Sequence, residues 1–254
     1  MNNFINFKKK YFIVLFCVFL FGFFIRIYNL ENFPSGFQRD EAFPGYNAYS
    51  ILKTGRDING NFLPTHLQSF LYTPAGYSYL AAPSIAVFGL NAFSVRFPAA
   101  LFGALSIFSL FYLIRQLLYF VNNEALKKHS AKVGLFGSLL LAISPWHINL
   151  SRTASLIPVV VFLIITGVFL FLMHVYKKKM LHLYFAYFCF GASLLFYVAP
   201  YSFLPVFIPV LYVIFNHKKK IVPWILFIGI ILLPLFITLT SHSLSLRART
   251  VSIF

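Results

Sequence analysis

Two carboxylates stand side by side at Asp40 and Glu41, inside the stretch F-P-S-G-F-Q-R-D-E-A-F-P-G-Y-N-A-Y-S-I-L-K-T-G-R-D at 33–57. A carboxylate held beside a hydroxyl takes its proton as that oxygen attacks, which is general-base chemistry. Neighbouring residues point in different directions on a helix or a strand, so at most one of the pair aims into a given cleft. The same two acids at the start of a helix are also an ordinary, mildly stabilising complement to its dipole. Arginines recur around them: Arg39 and Arg56 nearby, Arg96 and Arg152 further on, then Arg247 and Arg249, with Arg26 earlier. A guanidinium fork grips phosphate bidentately and keeps its charge when desolvated. Snorkelling to lipid headgroups explains any one such residue equally well. His147 stands near the end of an apolar run, where it either lines a cleft or sits at the interface.

The elements that must position these groups are apolar helices. Of the 254 residues, 60% are hydrophobic and only 10% charged, and mean hydropathy is +0.81. Long apolar runs with few charges mark spanning helices, because lipid offers the backbone no hydrogen-bond partner. The 34 Phe and 15 Tyr suit lipid-facing and interfacial surfaces. A net charge of +16 would fit a nucleic-acid binder, but the lysines sit in short clusters between apolar runs, which is a topology signal. No nucleic-acid partner is expected. Cys17 and Cys189 each lie inside an apolar run and read as small buried hydrophobes. The run Tyr11–Ile25 is followed by Arg26-Ile27-Tyr28-Asn29, not by a small-residue cleavage site, and is not read as a removable leader.

Apolar runs fall near 11–28, 76–90, 96–119, 133–147, 156–175, 181–198, 203–216 and 221–240. If all eight crossed, the clusters at Lys127/Lys128/Lys132, Lys177–Lys179 and Lys218–Lys220 would lie opposite Lys8–Lys10. The segment 76–90 is short for a span and contains Gly76 and Pro83. Taking it out of the membrane puts every Lys cluster on the cytoplasmic side, as the positive-inside rule requires. The expected fold is an all-α polytopic membrane protein in the plasma membrane. It has about seven transmembrane helices, a cytoplasmic N-terminus and an external C-terminus. Segments 29–95, 148–155, 199–202 and 241–254 lie outside.

The first external loop, 29–95, holds four of the five acids (Glu31, Asp40, Glu41 and Asp57, against Glu124 elsewhere) and the prolines 34, 44, 64, 74 and 83. It is far longer than a connector needs, and long ordered loops are usually functional. Residues 39–54 read as a short helix ending near Gly55. Its face of Ala48, Tyr49, Ile51 and Leu52 is suited to lying on the bilayer.

The stretch R-D-E-A-F-P-G-Y-N-A-Y-S-I-L-K-T-G-R-D at 39–57 resembles the first external loop of GT-C glycosyltransferases. The likeness is to glycosyltransferase family 39, the protein O-mannosyltransferase-like enzymes, and to lipid A aminoarabinose transferases. Tyr72-Thr73-Pro74-Ala75-Gly76-Tyr77 is similar to that family's Y-x-P-x-x-Y, and 88–98 to its F-G-x-n-x-f-x-v-R-x-P. Ser144-Pro145-Trp146-His147-Ile148 with Ser151-Arg152 is similar to its S-P-x-h-i…s-R. The set runs in order over roughly 30–254, as one domain, 1–254.

The resemblance implies a polyprenyl-phosphate-linked sugar as donor, with its head at the outer leaflet. A hydroxyl on a protein or glycolipid acceptor attacks in one inverting displacement. Asp40 matches the catalytic acid and Glu41 its companion. Arg39, Arg56, Tyr72, Arg96, His147 and Arg152 are the candidates for binding substrate or lipid phosphate, with cations stabilising the departing phosphate. No cofactor is expected beyond the lipid-linked donor. One acidic pair is a poor metal cage, so a divalent ion is unsupported. Two departures stand out. Many relatives carry a second acid soon after the S-R stretch, where this chain has Ser155-Leu156-Ile157-Pro158. They are also about twice as long, so this chain reads as an N-terminal portion. An ion-coupled transporter is disfavoured, since no Asp, Glu or Lys falls mid-span. A non-catalytic, lipid-binding scaffold is the other alternative.

Overall fold

A computed structural model describes residues 9–68, 72–121, 123–215, 224, 225, 227–229 and 232, with Tyr72 described by its backbone alone. In chain order the elements are α1 (Lys9–Ile27), α2 (Arg39–Thr54), β1 (His66–Gln68), β2 (Tyr72–Pro74), α3 (Gly76–Phe88), α4 (Ala92–Phe120), α5 (Glu124–Ile143), α6 (Pro145–Ser151), α7 (Ile157–Lys177), α8 (Met180–Leu194) and α9 (Ala199–Phe215). The strands form an antiparallel ribbon with Leu67 opposite Thr73. Among the described residues the fold is all-α apart from that ribbon and an isolated bridge between Arg56 and Phe62.

Helices α1, α4 and α7 are each long and apolar enough to cross a membrane, and α5 with α6 makes a fourth such unit across a 59° bend. Helices α8 and α9 are apolar but only 15 and 17 residues long. Among the described residues up to four units reach spanning length, most of the run 221–240 lies outside them, and the count of seven stays an expectation. The expected span 133–147 is corrected. Helix starts already at Glu124 and breaks at Ser144-Pro145, where proline forbids the α conformation before it and removes an N–H. Helix resumes as α6, so the expected external segment 148–155 begins as helix.

Packing fixes the direction of each helix. Along α1, Phe19 meets Phe108, Gly22 lies against Ile107, and Arg26 lies near Gly103, so α1 and α4 are antiparallel. Ser138 donates to the Ile107 carbonyl at 3.1 Å and Gly134 lies against Phe111, so α5 also opposes α4. Helix α7 runs parallel to α4, with Phe102 on Phe162, Ser109 bonded to Thr166 and Tyr119 on Tyr176. Helix α8 turns back along α7, with Gly167 lodged against Phe190. Small residues at these crossings let backbones approach closely where lipid gives no hydrophobic drive. Consequently Lys127, Lys128, Lys132 and Lys177–Lys179 share a pole with the start of α1. The loop 28–91 caps the opposite pole. The cluster Lys218–Lys220 lies outside the described residues.

Helix α3, with 13 residues, is short of the length of a span. The Tyr77 hydroxyl donates to the Val95 carbonyl at 2.8 Å, while Phe88 packs on Phe93 and Phe97. Both ends of α3 therefore meet the first turns of α4. The bilayer-facing role expected for α2 is corrected in part. Ala48 and Ile51 are buried, with Ala48 packed among Tyr77, Ala81 and Val95, because α3 covers that side. Only Tyr49 and Leu52 of the expected face are exposed. The helix ends at Gly55, whose φ of 69° lets its N–H reach back to the Ile51 carbonyl. Of the two free cysteines, Cys189 is buried and Cys17 is exposed on α1.

Candidate active site

Glu41 lies in the first turn of α2 and is only 4% exposed. Its Oε1 accepts from Arg96 Nε at 2.8 Å and from the Ala154 N–H at 3.0 Å. Its Oε2 accepts from Arg96 Nη2 at 2.8 Å and from the Gln38 N–H at 3.1 Å, the latter closing one half of a capping box. Burial pushes this carboxyl up, but the bonds from Arg96, Ala154 and Gln38 together outweigh it and hold it below the usual carboxylate range. Every oxygen lone pair in good geometry is taken, so Glu41 is a fixed anion. Arg96 is equally committed. Its Nη1 donates to the carbonyls of Leu30, Glu31 and Pro34, its Nη2 also donates to Gly36, and Phe37 stacks near its plane.

Asp40, one residue earlier on the helix, is exposed. It opens into a cleft of about 450 Å³, walled by Arg39 and Phe43 of α2, Leu67 and Thr73 of the ribbon, Tyr77 of α3, and Leu156. The adjacent acids thus face opposite ways, one into the protein and one into the cleft.

The other expected residues are dispersed. Arg152 donates to the carbonyls of Ile25, Tyr28 and Phe33, capping the C-terminus of α1. His147 is buried, accepts from Arg26 Nη2 on Nδ1 at 2.9 Å, and is not part of the cleft wall. Arg56 sits at the far end of α2, with Nη1 on the Gly60 carbonyl and its plane over Phe62. The intervening helix is roughly 24 Å long at 1.5 Å per residue. Tyr72 contributes its backbone to β2 beside Thr73, and its side chain lies outside the described residues.

Two contributors were not among the expected site residues, although Arg26 was read as one of the recurring arginines. Arg26 is buried and donates to the carbonyls of Gly22, Leu141 and Ala142, which closes the broken end of α5. An arginine in an apolar run was the available signal. The Ala154 N–H carries no residue-type signal at all. Among the described residues no three His, Cys, Asp or Glu side chains gather as a metal site.

A family model for dolichyl-phosphate-mannose-protein mannosyltransferase matches residues 73–242. The chain belongs to this family. No curated protein matches it. The family match, with the apolar helices, makes this a multi-pass membrane protein of the GT-C glycosyltransferase type. The matched stretch begins at Thr73 in the cleft wall and takes in Arg96, His147 and Arg152. Asp40 and Glu41 precede it; Glu41 meets the matched stretch through Arg96 and the Ala154 N–H, and Asp40 lines the cleft together with Thr73, Tyr77 and Leu156.

Proposed function

We propose that this protein transfers a sugar from a polyprenyl-phosphate donor to a hydroxyl of a protein or glycolipid acceptor at the external membrane face. Asp40 is the general base. The acceptor oxygen bonds to the anomeric carbon as the bond from that carbon to the phosphate oxygen breaks, with inversion. The acceptor's proton goes to the Asp40 carboxylate, and the bonding pair leaves with the lipid phosphate. The observation that supports this most is the division of labour at the start of α2. Glu41 is buried and bound on both oxygens, while Asp40 is presented to a cleft of about 450 Å³.

In this reading Arg96 and Glu41 are positioning residues. They anchor the first turn of α2 so that the base does not move when substrate binds. Arg39 lines the cleft beside Asp40 and is the cation assigned to the leaving phosphate. Arg152 ties α1 to the turn that carries Ala154, and Arg56 lies outside the reaction zone. The test is transfer by reconstituted protein from a panel of polyprenyl-phosphate sugars. Asp40→Asn should lower turnover by at least about a hundredfold, the usual scale of a lost general base. Wild-type turnover in that variant would overturn the assignment.

The single exposed carboxylate in the cleft favours one second reading, a lipid-binding membrane protein without turnover. Donor binding by the wild-type chain with no transfer from any donor would select it.

A further inference from the structure

Helices α5 and α8 both begin at the pole that carries the lysine clusters, and they begin differently. Helix α5 is capped by Asn123, which accepts from the Leu126 N–H, and Glu124 in its first turn takes an ion pair of 2.8 Å from Lys127. These are the groups that a helix N-terminus favours. Helix α8 has neither. Lys179 stands at its cap position with no side-chain bond, and its first turn holds no acid. His182 falls at the third helical position, where an acid closes a capping box. Lys177 and Lys178 come just before, and among the described residues none of the three lysines has an ion pair. After Glu124 the sequence contains no Asp or Glu. The positive fields of Lys177, Lys179 and His174 all fall on His182. Cationic groups are thus gathered on the positive end of a helix dipole, where they oppose folding.

The turn that carries them is nonetheless fixed. Lys178, at a φ of 59°, donates its N–H to the His174 carbonyl at 2.8 Å, and the buried His174 donates from Nδ1 to the Lys179 carbonyl at 3.0 Å. Helix α7 sets the depth of the turn. Its 21 residues span about 30 Å at 1.5 Å per residue, the thickness of a hydrocarbon core. It starts next to Leu156 in the cleft wall, so the lysine turn at its other end is level with the headgroups of the opposite leaflet. From there α8 turns back toward the hydrocarbon. Its residues Leu181, Tyr184, Phe185 and Phe188 are exposed, at spacings of three and four that place them on one face.

We propose that the α7–α8 turn is a binding site for an anionic glycerophospholipid, in the leaflet that the positive-inside rule makes cytoplasmic. The lipid phosphate meets Lys177, Lys178 and Lys179, as anionic headgroups meet basic clusters beside membrane helices. It supplies the anion that α8 lacks in its own sequence. An acyl chain lies along the exposed face of α8. That face continues the site below the headgroup, which selects a lipid over a soluble phosphate. The site stands apart from the cleft and from the reaction assigned to Asp40.

The experiment reads Tm of the purified full chain in detergent micelles doped with dioleoylphosphatidylglycerol. Dioleoylphosphatidylcholine and inorganic phosphate are the comparisons. Phosphatidylglycerol should raise Tm saturably, as a ligand of the folded state does. The apparent affinity should fall on the order of a hundredfold in the triple variant K177Q/K178Q/K179Q, since each lysine near an anionic surface is worth about fivefold. The double variant K128Q/K132Q should bind as wild type does. Without lipid the triple variant should be at least as stable as wild type, because repulsion at the start of α8 is relieved. A photoreactive phosphatidylglycerol should label the wild-type chain within 174–188 in preference to 124–136. Should the triple variant not fold, that labelling pattern decides alone. An equal rise in Tm with phosphatidylcholine, or with inorganic phosphate at the same concentration, would overturn the inference. So would undiminished affinity in the triple variant, an equal loss in the double variant, or labelling that favours 124–136.

Discussion

Arg96 and Glu41 meet across 55 positions of sequence through two parallel N–H···O bonds of 2.8 Å, with side chains 1% and 5% exposed. This fork joins the first turns of α4 to the first turn of α2. The remaining guanidinium donors gather the loop 30–36 around the joint. Asp40 is the next residue along, so the orientation of the exposed acid follows from the burial of its neighbour.

Removing either partner leaves an uncompensated buried charge. Arg96→Met and Glu41→Gln should each destabilise the fold by about 3–5 kcal/mol. The double variant should be less destabilised than the sum of the two, since the sites share one interaction. Thermal unfolding of the four proteins in one detergent measures this. Additive losses would show that the two residues do not act as a pair.

The depressed Glu41 carboxyl sets a pH dependence with a definite sign. Its proton is held less tightly in the folded state than in the unfolded state, so its contribution to stability is complete above the unfolded value of about 4.3. That contribution is lost as pH falls through the lower folded value. The Tm gap between wild type and Glu41→Gln should be constant near neutrality and shrink in acid below about pH 4. A gap that grows in acid would contradict the assigned sign.

Gly76 donates its N–H to the Leu195 carbonyl at 3.1 Å, and a Cβ at Gly76 would stand 2.3 Å from that oxygen. The neighbour is backbone and cannot rotate away. Gly76→Ala should cost about 1–3 kcal/mol as overpacking and loosen the α3 wall of the cleft against α8. A Tm within error of wild type would show that this contact is not tight.

The arrangement of the helix ends predicts sidedness. In a protein with Cys17 replaced by Ser, a cysteine at Gly89 and one at Lys178 should react with an impermeant maleimide from opposite sides of sealed vesicles. Reaction of both from the same side would contradict the threading, in which both ends of α3 stay at the pole away from the lysine clusters.

Much of the fold was legible because lipid imposes simple demands. Apolar runs, lysine clusters and the brevity of 76–90 gave the helix order and set α3 apart from the spanning helices. What charge counting missed was the break at Ser144-Pro145 and the inward turn of Ala48 and Ile51. Both depend on partners distant in sequence: Arg26 for the broken end of α5, and α3 for the covered side of α2. At the site, adjacency alone told that Asp40 and Glu41 must diverge. It did not tell which one faces the cleft, because that is decided by Arg96 and by the Ala154 N–H. The arginines were legible as a group of cations. That Arg26, Arg96 and Arg152 donate to backbone carbonyls was not, since carbonyls are the same at every position.

The most direct measurement is sugar transfer by Asp40→Asn against Glu41→Gln, with each variant's Tm recorded beside its rate. Asp40 is exposed, so Asp40→Asn should keep the wild-type Tm and lose turnover by at least about a hundredfold. Glu41→Gln should lose stability first, with activity falling in step. Wild-type turnover in a fully folded Asp40→Asn would contradict the account.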